Sequence, residues 1–123
     1  MPHTLNVHLE VHDNYLACRV TGKDSTTNTR TYWQQLYEAA EKHGIDNILI
    51  VEKLEGQPPM GEVYQLVEEH VNKFWGKRIA FVDLIPSHSA DNRLAATLFL
   101  NRGVVVELFD QEADALRWLL KQD

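Results

Sequence analysis

One cysteine, Cys18, stands alone among 123 residues. It can form no disulfide within the chain and no Cys-His metal cluster, so a cytoplasmic setting is the natural expectation. No apolar run approaches the about 18 residues that a membrane span needs. The opening residues, MPHTLNVHLEVHDN, lack the basic-then-apolar pattern of a leader. Positive charge is scarce as well: 12 Lys and Arg stand against 18 Asp and Glu, for a net charge of −6. The longest basic pair is Lys77-Arg78, and no basic stripe is interleaved with aromatics, so no nucleic-acid partner is expected. The phosphate-loop pattern Gly-x-x-x-x-Gly-Lys-Ser/Thr is missing, as is the Gly-x-Ser-x-Gly elbow of hydrolases. No cofactor is expected. Neither a repeat nor a linker divides the chain, which reads as one domain over 1–123.

What is present is clear periodicity. Leu5, Val7, Leu9 and Val11 alternate with Asn6, His8, Glu10 and His12, the period of a half-buried strand. Asp13-Asn14 reads as a two-residue turn, since both residue types tolerate positive φ. The pairing then sets Val11 against Leu16, Leu9 against Cys18, Val7 against Val20 and His8 against Arg19. A slip by one residue would break this match. Ser25, Thr26 and Thr27 are candidate caps of a first helix with Trp33, Leu36, Tyr37 and Ala40 on one stripe and Gly44 as its left-handed stop. The apolar run NILIV predicts a central strand buried on both faces.

After the loop LEGQPPMG, Val63, Leu66, Val67, His70, Val71 and Phe74 form a second helical stripe that ends at Gly76. RIAFVDL predicts a strand, and PSHSADNRLAATLFLNRG a third helix capped by Ser87 or Ser89. VVVELF predicts the last strand, and Asp110 caps a final helix, QEADALRWLLKQ. The order β-β-α-β-α-β-α-β-α gives an α/β fold. Its five-stranded mixed sheet has an N-terminal antiparallel hairpin, parallel strands elsewhere and four flanking helices. If Trp118 packs on that sheet, truncating it to Ala costs about 3–5 kcal/mol.

Three stretches, KRIAFVD, NRGVVVELFD and EADALRWLL, resemble the SpoIIAA-like family of small STAS-type domains. The resemblance spans nearly the whole chain and implies a bacterial binding or regulatory domain; members are mostly of undetermined function. The same fold serves phospho-switched anti-sigma factor antagonists and, more distantly, lipid-carrying domains. In the antagonists a phosphorylatable serine sits after the third strand, at the start of the second helix. Here that position is LEGQPPMG, which has no Ser, Thr or Tyr. The phospho-switch is therefore not carried over.

Ligands of open α/β sheets bind beyond the carboxyl ends of the strands. That rim presents Glu52 and Lys53 after the third strand, then Asp83, Ser87, His88 and Ser89 after the fourth. Asp, Ser and His in DLIPSHSAD are too close in sequence to specify a triad. The plainer reading is helix capping by Ser87 or Ser89 with His88 exposed, and no enzyme is expected. No metal site is expected either: His8 and His12 lie about 13 Å apart along one strand. His3 is near the chain start, and His70 sits on an apolar helix face, as a core-edge residue does. Cys18 points to the apolar face of the hairpin, as packing rather than a reactive thiol. Glu62 in the first turn of the second helix would repel a phosphate.

Apolar surface is the better clue. Met60 in the loop, Tyr64 one step off its stripe, and Trp33 and Tyr37 on the first helix either complete the core or line a pocket or partner surface. Two readings follow. The first is a non-catalytic interaction or regulatory module that binds a protein partner or itself as a homodimer. The alternative is a binder or carrier of a small apolar or lipid-like ligand.

Overall fold

The computed structural model describes residues 4–56 and 58–121, apart from the side chain of Met60. His3 falls outside these residues. The first hairpin joins β1 (Leu5–Val11) to β2 (Leu16–Lys23) in the expected register, with Leu9 opposite Cys18 and Val7 opposite Val20. Its turn is built differently from the expectation. Only glycines have positive φ among the described residues, so Asp13 and Asn14 do not adopt left-handed conformations. The His12 N–H donates to the Tyr15 carbonyl at 2.9 Å, and the two rings stack at 4.3 Å. Ring stacking closes the turn. At the other end of the hairpin, Gly22 has φ 125°, and a Cβ there would lie 2.2 Å from the Thr4 carbonyl oxygen. No larger residue fits that close approach.

The chain then alternates α1 (Thr26–His43), β3 (Asn47–Glu55), α2 (Met60–His70), β4 (Arg78–Asp83), α3 (Ser89–Asn101), β5 (Val105–Phe109) and α4 (Glu112–Leu119). The sheet order is β1-β2-β3-β4-β5; β1 and β2 are antiparallel and the other neighbours parallel. Of the three candidate caps for α1, Ser25 does the work: its Oγ accepts from the Asn28 N–H at 3.1 Å. Gly44, at φ 63°, ends the helix.

The period of two along the strands divides the core in two. Cys18, Val20, Ile48, Ile50, Ile79 and Val106 face a layer made by α1, α2 and α3. Ala17, Leu49, Val51, Ala80 and Val82 face the opposite way, where Ala115 and Leu119 of α4 cover them. No helix among the described residues is long and apolar enough to cross a membrane.

Three helix boundaries differ from expectation. α2 stops at His70, and its apolar stripe continues through a short 3-10 turn, Val71–Phe74. α3 begins at Ser89 behind another 3-10 turn, Pro86–His88, and the cap position belongs to His88, which makes no side-chain capping bond. His88 is not exposed; it is buried. The Asp83 carboxylate accepts the Ile85 N–H at 2.8 Å, and this local turn bends the chain so that His88 swings back to Asp83. The cap position of α4 is Gln111, not Asp110. Glu112 anchors this helix start instead, accepting both Arg19 Nη groups of β2 at 2.7 Å.

Trp118 is half-buried. The Arg78 guanidinium lies 4.3 Å above its ring and Phe109 packs at 5.7 Å, while Leu119 is fully buried. The order of truncation costs follows. Leu119→Ala is expected to lose about 2–5 kcal/mol. Trp118→Ala is expected to lose less, about 1–3 kcal/mol, because part of the ring stays in water. Urea unfolding checks this, and the reverse order would mean that α4 is rotated on the sheet.

Candidate functional site

Alternation along β3 places Ile48, Ile50, Glu52 and Leu54 on one face. Three of them are aliphatic and join the core, and the fourth is a carboxylic acid only 6% exposed. Tyr32 of α1, itself fully buried, donates its phenol hydrogen to Glu52 Oε2. Asp24 arrives from the link between β2 and α1, its Oδ1 held by the Thr29 hydroxyl at 2.9 Å. His88 arrives from the link between β4 and α3 and is 4% exposed. Its Nδ1 pairs with Asp83 Oδ2 at 3.1 Å, and Asn92 Nδ2 donates to that same oxygen at 2.8 Å. One ligand-type atom from each of Asp24, Glu52 and His88 lies within 4.8 Å of the other two.

Burial governs the electrostatics of this cluster. It pushes the Glu52 carboxyl up to about 8, against the pull of the Tyr32 hydrogen bond, and the charges of Asp24 and Asp83 push the same way. Asp24 rises to about 6, again mainly through burial, with the Thr29 hydrogen bond opposing. Burial and the neighbouring Glu52 lift the Tyr32 phenol well above its ordinary range and the Cys18 thiol to about 12.

Beside the cluster is an apolar cavity of about 90 Å³ between the sheet and the three-helix layer. Trp33, Leu36, Phe74, Phe81, Phe99 and Leu108 wall it, and Asp24, Glu52 and His88 complete its lining. A shallow outer groove of about 410 Å³ shares Asp24 and Pro58 with it.

The residues singled out from the sequence are distributed unevenly. Trp33 lines the cavity and packs at 5.6 Å from Phe99. Tyr37 packs edge-on to Phe74 at 6.1 Å and lies under Lys73. Tyr64 is 49% exposed on α2, with the Arg102 guanidinium 5.6 Å from its ring. The expectation for Met60 rests on a side chain outside the described ones. Glu52, Asp83 and His88 come together, whereas Ser87 is exposed while its neighbour His88 is buried. His70 is 2% exposed, its Nδ1–H donating to the Leu66 carbonyl at 2.8 Å.

Sequence reasoning passed over Asp24, Tyr32 and Asn92. One signal was available for Glu52: the alternation in NILIVEKL turns it to the same side as Ile50 and Leu54. Nothing comparable marks Asp24, which reads as part of a capping run.

Among solved structures, a protein of the DUF3478 family from Shewanella loihica PV-4, described as uncharacterized and with a SpoIIAA-like fold, is similar with a TM-score of 0.58 and 21% identity. The match covers 95% of this chain and 94% of that one. An anti-sigma factor antagonist from Mycobacterium paratuberculosis is similar with a TM-score of 0.68 and 17% identity over 98% of both chains. These likenesses show that the chain has the SpoIIAA-like fold. No family model matches it, and no curated protein does.

A buried acid whose folded pKa is raised binds its proton more tightly when folded, so stability falls as pH rises from the unfolded value to the folded one. For Glu52 that window runs from 4.5 to about 8, and for Asp24 from 3.8 to about 6. Between pH 6 and 8 the wild type is expected to lose stability by up to about 1.4 kcal/mol per pH unit. Glu52→Gln, which cannot ionise, is expected to be flatter there. Equal slopes in urea titrations of the two proteins would rule this out.

Proposed function

We propose that this chain is a non-catalytic binding module whose ligand is a small molecule with an apolar body, taken up between the three-helix layer and the sheet. One observation carries the reading: the cavity beside Glu52. Protein interiors are packed with few voids larger than a water molecule. At about 24 cal/mol per Å³, a void of about 90 Å³ costs about 2 kcal/mol if nothing fills it. An apolar cavity of about 150 Å³ takes benzene. This one therefore admits the tip of a ligand, with the remainder lying toward the outer groove past Asp24 and Pro58. The absence of a hydroxyl from the loop after β3 argues against a phospho-switch.

A second reading, a regulatory module that docks a protein or a second copy of itself, draws support from a different face. Tyr64, Trp75 and Leu100 are all about half exposed. Arg102 ties two of them together: its carbonyl accepts the Trp75 indole N–H at 2.9 Å and its guanidinium lies over Tyr64. The likeness to an anti-sigma factor antagonist, a protein-binding class, points the same way.

Native mass spectrometry of protein purified without refolding separates the readings. The ligand reading expects a co-purified hydrophobic adduct in the wild type. Ala96, buried against the cavity on α3, offers the control. Ala96→Phe fills the space and is expected to lose the adduct while remaining folded. A dimer of bare chains, or an adduct kept in full by Ala96→Phe, would favour the docking reading.

A further inference from the structure

Three carboxyls, Asp24, Glu52 and Asp83, meet within the rim, and among the described residues none is paired with a lysine or arginine. Buried carboxylates are ordinarily paired with a cation or bound to a metal. His88 supplies a second, separate observation. Its ring is 4% exposed, Nδ1 is tied to Asp83, and a ring nitrogen lies within 4.8 Å of a carboxylate oxygen of Asp24 and one of Glu52. A buried imidazole beside two carboxyls that no lysine or arginine neutralises is a donor set of the kind that holds a metal ion.

We propose that Asp24, Glu52 and His88 bind a divalent transition-metal ion of the zinc class. The donor set is one imidazole nitrogen and two carboxylate oxygens. It differs from the all-oxygen cages of calcium and magnesium and from the thiolate sets that select softer ions. Cys18 is no competitor, since burial keeps its thiol protonated.

Each ligand is also gripped from outside the set. Thr29 holds Asp24, Tyr32 holds Glu52, and Asp83 holds His88. Such outer partners fix ligand orientation and leave the second atom of each group for the ion. Ligand atoms about 2.1 Å from a tetrahedral zinc ion lie about 3.4 Å apart. The three atoms here are within 4.8 Å of one another, so side-chain adjustments of about an ångström bring them to that separation. Three protein ligands leave a coordination position open, as at catalytic and ligand-binding zinc sites. The cavity adjoins it, so a polar group on a cavity ligand is the group placed to fill it. The ion site goes beyond the proposed ligand and does not depend on it.

The test uses the whole chain, purified without a histidine tag and stripped with chelator, and titrated by calorimetry with zinc(II) alone. A single equivalent is expected to bind. Glu52→Gln and His88→Gln, each verified as folded by circular dichroism, are expected to weaken binding by more than the about 10- to 100-fold typical of an outer partner. Asp83→Asn is expected to fall within that range of about 10- to 100-fold. A His8→Ala/His12→Ala double variant removes the surface histidines beside Glu10 and is expected to bind as the wild type does. Cobalt(II) in place of zinc is expected to give a visible band in the wild type that Glu52→Gln loses. Failure of the stripped wild type to bind would overturn the proposal. Wild-type affinity in folded Glu52→Gln and His88→Gln would do the same, as would loss of binding in the His8/His12 variant.

Discussion

A carboxylic acid inside the central strand sets the terms for its surroundings. Glu52 occupies a place on β3 where alternation calls for an aliphatic side chain, between Ile50 and Leu54 on the helix-facing side. Burying a carboxyl without partners costs several kcal/mol, roughly the net stability of many small domains. The Tyr32 phenol offsets part of that cost. In doing so it pins α1 against β3 at one point, because Tyr32 is itself fully enclosed. With α1 held there, Trp33 and Leu36 stand over the sheet across from Phe81 and Leu108, and the gap between them is the cavity. The polar cluster and the apolar space beside it have one origin.

The architecture was legible in the sequence because it rests on periodicity. The period of two in LNVHLEV, its complement in LACRV and the unbroken apolar run in NILIV specify the hairpin register and the buried strand with no knowledge of the rest. The α1 ends were legible for the same local reason: Ser25 and Gly44 do their work within one turn. Where expectation failed, a longer-range partner had won. His88 reads as an exposed residue in a capping run, yet Asp83 draws it inward through a turn that depends on both. The start of α4 reads as an Asp110 cap, but Arg19, 93 residues earlier in the chain, holds Glu112 and sets it.

The site was only half legible. Its members on the strand ends, Glu52 and Asp83, follow from the rule that ligands gather at the carboxyl ends of parallel strands. Asp24 and Tyr32 do not, because they reach the rim only through the way α1 crosses the sheet. Histidine spacing along the sequence was equally uninformative. A metal-type constellation assembled from one strand and two separate connections has no sequence interval to recognise, and it becomes visible only when the three are brought to one edge.

The two faces of the sheet are unequally served. Three helices cover one side, and the other relies on α4, the single helix that follows all five strands. As the chain leaves the ribosome, Ala17, Leu49, Val51, Ala80 and Val82 therefore line an uncovered surface until the segment beyond β5 has emerged. That interval is when the nascent domain is most prone to sticking to its neighbours, and when a holding chaperone has an apolar face to grip. The Arg19–Glu112 clasp ties the start of α4 to β2, and so holds the late-emerging cover in place over this face once it has docked.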